Sequence, residues 1–224
     1  TVGGTGKTPV TVMTAATLRD EGYDVAVVSR GYGGSAETAT IVSDREGIVS
    51  PPDVAGDEPH IIASSLPGVP VVVGKDRVLA ARKAYEAFHP KVIVLDDGFQ
   101  HRRLARDIDI VTIDAGNPFG NEHLLPRGIL REPPRSLKRA SAIVVTRSDD
   151  ESKAKVERMI RYYDRKTPIF FSRHVPVGFR APGASERRGL DWIAGRRIAA
   201  LSNVADPDQY HRMLESLGAS ITVK

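Results

Sequence analysis

Six residues at the start of the chain, Gly3, Gly4, Thr5, Gly6, Lys7 and Thr8, read GGTGKT and lead straight into a segment of helical character. Glycines let backbone N–H groups turn inward around phosphate oxygens, and a helix beginning there adds the partial positive charge of its N-terminus. Lys7 has the reach to meet the β- and γ-phosphates of ATP, and Thr8 offers a hydroxyl to Mg²⁺. Measured against G-x-x-x-x-G-K-[ST], the first glycine position is Thr1, so the match is incomplete. The double glycine is like the variant loop of the deviant Walker class, although Val2 stands where that class has an extra lysine. A loop of this kind belongs between a strand and a helix, so a strand is expected ahead of it.

The rest of the chain fits that demand. Continuous apolar runs predict strands at "DVAVVSR", "VPVVVG", "KVIVLDD", "IDIVTID" and "SAIVVTR". Runs that do not alternate belong to parallel strands covered on both faces. Helices are expected from Lys7 to about Asp20, stopped by Gly22; after "GKDR", with Ala81, Ala84, Tyr85 and Phe88 on one face; and through Val156, Met159, Ile160 and Tyr163. This alternation predicts an α/β fold: a P-loop NTPase-like, doubly wound, mostly parallel sheet with helices on both faces. Residues 1–170 are read as that core and the Gly- and Pro-rich stretch 171–196 as a linker. Residues 197–224 read as the beginning of a smaller second α/β domain, with a strand in "RRIAALSN" and a helix from about Pro207 to Leu217 before Gly218.

Composition narrows the partners. With no cysteine, disulfides and thiolate chemistry are excluded within these 224 residues. No apolar run approaches the roughly 18 residues of a membrane span. The net charge is +4, with basic clusters in "HRRLAR", "REPPRSLKR" and "ERRG". These suit solvated faces or an anionic partner: ATP, a phospholipid surface or a phosphorylated substrate. Aromatic residues are only 6%, which argues against nucleic acid.

Two acidic pairs supply candidate chemistry. "VIVLDD" ends in Asp96 and Asp97, and a carboxylate at the C-terminal end of a parallel strand faces the ligand crevice. "DDGFQH" adds Gln100 and His101 to the same turn. Asp57 and Glu58 in "AGDEPH" open a helix, where they read either as helix-capping acids or as one metal ligand and one base. If functional, Thr8, Asp57, Glu58 and Asp96 should converge on one metal-sized space. Arg131 in "GILREPP" reads as a contact for an anionic group or as a solvated loop arginine.

Taken in order, GGTGKTP, "SRGYGG" (29–34), "GDEP" (56–59), "DDGFQH" (96–101) and "LLPRGILREP" (124–133) resemble the tetraacyldisaccharide 4'-kinases of lipid A biosynthesis, densely over residues 1–150 and more loosely, through "LSNVADPDQY", beyond. The resemblance implies a phosphotransferase at the cytoplasmic face of the bacterial inner membrane. It would move the γ-phosphate of ATP to the 4'-hydroxyl of a tetraacyl glucosamine disaccharide 1-phosphate, forming lipid IVA. By motif, Gly3 to Thr8 bind the nucleotide; Lys7, Asp57, Asp97 and Arg131 are catalytic, with Asp57 the base. Thr8, Glu58 and Asp96 hold the metal, and Tyr32, Gln100 and His101 face the substrate. The resemblance also implies a membrane-associating segment ahead of the loop and a histidine-bearing motif beyond Lys224, so slow turnover is expected of residues 1–224 alone. Two other readings stand beside it: a regulatory ATPase or GTPase of the deviant Walker class, and a phosphate-binding module without Mg²⁺ dependence. Guanine specificity would favour Asn-Lys-x-Asp where this chain has Thr146, Arg147, Ser148 and Asp149.

Overall fold

The computed structural model describes residues 4–202 and 207–223; Gly3 and part of "LSNVADPDQY" (203–206) lie outside the described residues. Helix α1 (Lys7–Asp20) begins at the phosphate loop and ends before Gly22, whose φ of 87° is open to glycine at little cost. Next come β1 (Val25–Ser29), β2 (Thr40–Ser43), the short α2 (Pro52–Ala55), α3 (Asp57–Ser65), β3 (Val71–Val73), α4 (Arg77–Phe88) and β4 (Val92–Leu95). These strands form one sheet in the order β2-β3-β1-β4, with β1 parallel to both β3 and β4. Strand β2 is antiparallel to β3.

The pleat of β1 shows why its sequence reads as continuous valine. Val25 and Val27 join Ala15 of α1 and Ile62, Ala63 and Leu66 of the α3 side in one core. Ala26 and Val28 join Ala80, Ala81 and Ala84 of α4 in another. Each face is covered by helix, so both residue parities are apolar. Asp76 starts α4 by accepting from the Val78 and Leu79 amides. Tyr85, expected on the buried face of α4, is 58% exposed. Phe88 and the alanines take the face toward the sheet, and the Tyr85 ring packs edge-on against His89 instead.

A second sheet holds β5 (Ile110–Asp114), β6 (Ala142–Thr146) and β7 (Ile169–Phe171), all parallel, with α5 (Asp150–Tyr163) packed on it. Asp149 opens α5 with a capping box closed by Ser152. Val156 and Ile160 face Ile143 and Val145, as their spacing predicts. The strands of this mostly parallel α/β fold thus pair in two segments, parallel throughout except at β2. The outer edges of β4 and β5 both line a cavity of about 770 Å³, and among the described residues no strand pairs with either edge.

The C-terminal elements are β8 (Arg197–Ala199), α6 (Pro207–Ser216) and β9 (Ser220–Val223), with β8 parallel to β9. Their core gathers Ala200 and Leu214 with Phe179, Trp192 and Ile193. Part of the stretch read as linker thus packs with the elements that follow it.

Ile160 is fully buried between α5 and the second sheet. Ile160→Ala should lower unfolding free energy by about 2–5 kcal/mol, read as a shifted urea midpoint with an unchanged denaturant slope.

Candidate functional site

The phosphate loop rests on the carboxyl ends of β5 and β6. Gly4 and Gly6 have φ of 69° and 74°, where a side chain would be strained. Thr5, only 5% exposed, is held from two sides. Its carbonyl accepts from Thr146 Oγ1 at 3.0 Å, and its hydroxyl lies 3.2 Å from that of Thr112. A Cβ on Gly6 would come within 3.0 Å of Thr146 Cγ2. The glycine both turns the chain and lets the loop touch β6. Lys7 and Thr8, in the first turn of α1, remain partly exposed.

Asp96 follows β4 and is almost fully buried. Its carboxylate accepts from Thr11 Oγ1 at 3.0 Å and Ser29 Oγ at 3.2 Å. Burial, aided by the charge of Asp97, pushes its pKa up against the pull of those hydroxyls and Lys7. Such a carboxylate gains from a cation beside it. Asp97 adopts φ 55° and turns the other way, accepting from Arg131 Nη1 at 2.6 Å. Burial works to raise its pKa, but the Arg131 hydrogen bond and the charges of Lys7, Arg131 and Arg77 hold it below the ordinary value. Arg131 is thus paired with Asp97 and is not a freely solvated loop arginine.

Gln100 donates to Glu132 Oε1 at 3.1 Å. His101 is half-buried in the same turn, and burial together with nearby Arg77 lowers its pKa. Tyr32, 76% exposed, projects from the Gly31–Gly34 turn. That turn is pressed against the start of α3: a Cβ on Gly56 would lie 2.4 Å from Tyr32 O, and one on Gly34 would lie 2.4 Å from Val54 O. The close approach sets Tyr32 beside the helix that Asp57 and Glu58 open.

The expected convergence of Asp57, Glu58 and Asp96 is not seen. Among the described residues, no group of three or more His, Cys, Asp or Glu side chains gathers to hold a metal. Asp57 and Glu58 stand exposed in the first turn of α3, whereas Asp96 is drawn inward by Thr11 and Ser29. Any cation at the loop would have to be completed by oxygens of the bound phosphates, as is usual for Mg²⁺.

Several supporting contacts were not read from the sequence. Arg147 pairs with Asp114 through two nitrogens, joining the ends of β6 and β5 beneath the loop. Two oppositely charged residues closing adjacent predicted strands were the available signal. The same pair occupies the side chain at the lysine position of a guanine-specificity motif, so this arginine is turned inward. Glu132 is held by Arg139 and Gln100, and these contacts with Ser136 keep its pKa low although burial would raise it.

Gly6→Ala should weaken nucleotide binding by at least about tenfold in calorimetry, since it strains φ and pushes the loop off Thr146. Glu132 contributes stability that is full above its ordinary carboxylate pKa and fades as pH falls through the depressed folded value. The stability lost in Glu132→Gln should therefore be largest at pH 7 and shrink toward pH 3 in urea titrations.

The family model described as tetraacyldisaccharide-1-P 4'-kinase matches residues 1–224. The tetraacyldisaccharide 4'-kinase of Syntrophus aciditrophicus is 45% identical over 231 residues, 99% of this chain and 62% of that protein. The enzyme of that name from Anaeromyxobacter sp. strain K is 45% identical over 225 residues, 99% of this chain and 59% of its own length. The chain thus spans about six-tenths of these relatives. A crystal structure of Aquifex aeolicus LpxK in complex with ATP matches with a TM-score of 0.77 at 32% identity, covering 99% of this chain and 66% of that one. A P-loop-type α/β core, the ordered motifs and a match along the whole chain agree, and the chain belongs to the tetraacyldisaccharide 4'-kinase family.

Proposed function

We propose that this chain supplies the catalytic core of an ATP-dependent kinase that phosphorylates the 4'-hydroxyl of a tetraacyl glucosamine disaccharide 1-phosphate, giving lipid IVA. The observation that carries the reading is the seating of the Gly4–Thr8 loop beside the strand-end pair Asp96 and Asp97, with Arg131 drawn onto Asp97. Phosphoryl transfer asks for this: positioned phosphates, a cation site and extra positive charge where the transferring group passes.

The nucleotide's phosphates would lie in the loop, with Lys7 meeting the β- and γ-oxygens. Thr8 and Asp96, backed by Asp97, suit Mg²⁺, because a buried carboxylate with a raised pKa is relieved by a cation. Bound there, Mg²⁺ would neutralise charge on the β- and γ-phosphates. Asp57 would take the proton of the attacking hydroxyl and Glu58 would add an oxygen ligand; both roles require the first turn of α3 to close on the nucleotide. Tyr32, Gln100 and His101 would face the disaccharide. Arg131 would share its remaining donors with the transferring phosphoryl group. The acceptor is a lipid, so the whole protein would work at the cytoplasmic face of the inner membrane, as a peripheral or anchored enzyme. Among the described residues, no helix is long and apolar enough to cross a membrane. Residues 1–170 would form the kinase core and 197–224 the start of a second domain, with the stretch 171–196 joining them and lending Phe179, Trp192 and Ile193 to the second core.

The test is a mixed-micelle assay of the full-length protein with radiolabelled ATP. Asp57→Asn should lower kcat by about 10²–10⁴-fold while ATP binding persists, the signature of a lost base. Lys7→Ala should weaken ATP binding and abolish turnover. Label in a soluble sugar and none in lipid would overturn the acceptor.

A further inference from the structure

Between the turn after β4 and the loop carrying Arg131 stands a side chain with no role so far. Arg139 closes the 3₁₀ turn Pro134–Arg139. Its guanidinium stacks 4.2 Å from the centre of the Phe99 ring. Arg139 Nη2 donates to Glu132 Oε1 at 3.0 Å and reaches the Phe99 carbonyl at 3.5 Å. Arg139 Nη1 lies 2.9 Å from Glu132 Oε2. Glu132 in turn accepts from Gln100, and its chain neighbour Arg131 holds Asp97. One planar cation therefore touches two segments that carry site residues: the turn of Asp97, Phe99 and Gln100, and the loop of Arg131 and Glu132. Its side chain is only 31% exposed and that of Glu132 18%.

We infer that Arg139 is a positioning residue for the acceptor side of the site, fixing the Gln100 amide and the Arg131–Asp97 pair through Phe99 and Glu132. The inference rests on the proposed kinase reading. A lysine could keep the charge, but it cannot spread a guanidinium over Phe99 while donating to both Glu132 and the Phe99 carbonyl. The phosphate loop is seated through Thr5, Thr112 and Thr146, which Arg139 does not touch, so its loss should spare nucleotide affinity.

The experiment uses the full-length protein with Arg139→Lys, Arg139→Gln, Glu132→Gln and the Arg139→Gln/Glu132→Gln double variant. Each is assayed in mixed micelles for kcat and KM toward the lipid and toward ATP, with ATP binding measured separately by calorimetry. Arg139→Gln should lower kcat/KM for the lipid by about tenfold, and Arg139→Lys should fail to restore it. The ATP dissociation constant should stay within about twofold, and the double variant should be no worse than the more damaged single variant. Unchanged lipid kinetics, full rescue by lysine, an equal loss of ATP affinity or additive losses would each overturn the inference. If Arg139→Gln does not fold, Arg139→Lys with Glu132→Gln still decides it. Failure of the wild-type protein to phosphorylate the lipid would instead refute the kinase reading.

Discussion

A buried carboxylate holds this site together. Asp96 takes one hydroxyl hydrogen bond from α1, through Thr11, and one from the end of β1, through Ser29, while its own backbone ends β4. Three elements are thereby fixed to one charge that water barely reaches. An isolated buried carboxylate is expensive, and two neutral hydroxyls compensate it only in part, so its pKa stays raised. The residual need for positive charge lies beside the phosphate loop. The same arrangement that ties the helix to the sheet thus sets the electrostatics beside the loop, where Lys7 draws the carboxylate toward its charged form.

Around that centre the site is assembled by loops pressed onto strand ends. The phosphate loop is seated on β5 and β6 by threonines, and the Asp114–Arg147 pair lies beneath it. The Tyr32 turn is stacked on the start of α3 by two glycines that admit no side chain. The Arg131 loop is tied back by Asp97, Gln100 and Arg139. These contacts are mostly charge-assisted or backbone-tight, so small shifts of these loops are costly.

Much of this was legible in the sequence, and for physical reasons. Strands β1, β3, β4, β5 and β6 announced themselves because burial on both faces forces unbroken apolar runs, and α5 because Val156 and Ile160 fall on one face. Lys7, Asp96 and Asp97 were readable because strand ends and loop glycines constrain which residues can stand there. Strand β2 was missed, since a short antiparallel edge strand has little apolar signal. Tyr85 was misplaced because helical periodicity names a face but not how far around the helix the sheet covers it. The hydroxyls of Thr11 and Ser29 that hold Asp96 come from two other elements, a contact no local pattern announces. The Arg139 contacts likewise depend on long-range folding that no local pattern records.

The seating of the phosphate loop across two cores carries a thermodynamic consequence. Each sheet segment has its own hydrophobic core, and the hydrogen bonds joining them cluster around the site, at Thr5 with Thr112 and Thr146, Asp97 with Arg131 and Gln100 with Glu132. The loop belongs to both: α1, which it opens, packs with the first sheet, and Thr5 is held by strands of the second. A nucleotide held in that loop would favour the conformation in which both contacts are made, and its binding free energy would oppose any local opening that lifts the loop from either sheet.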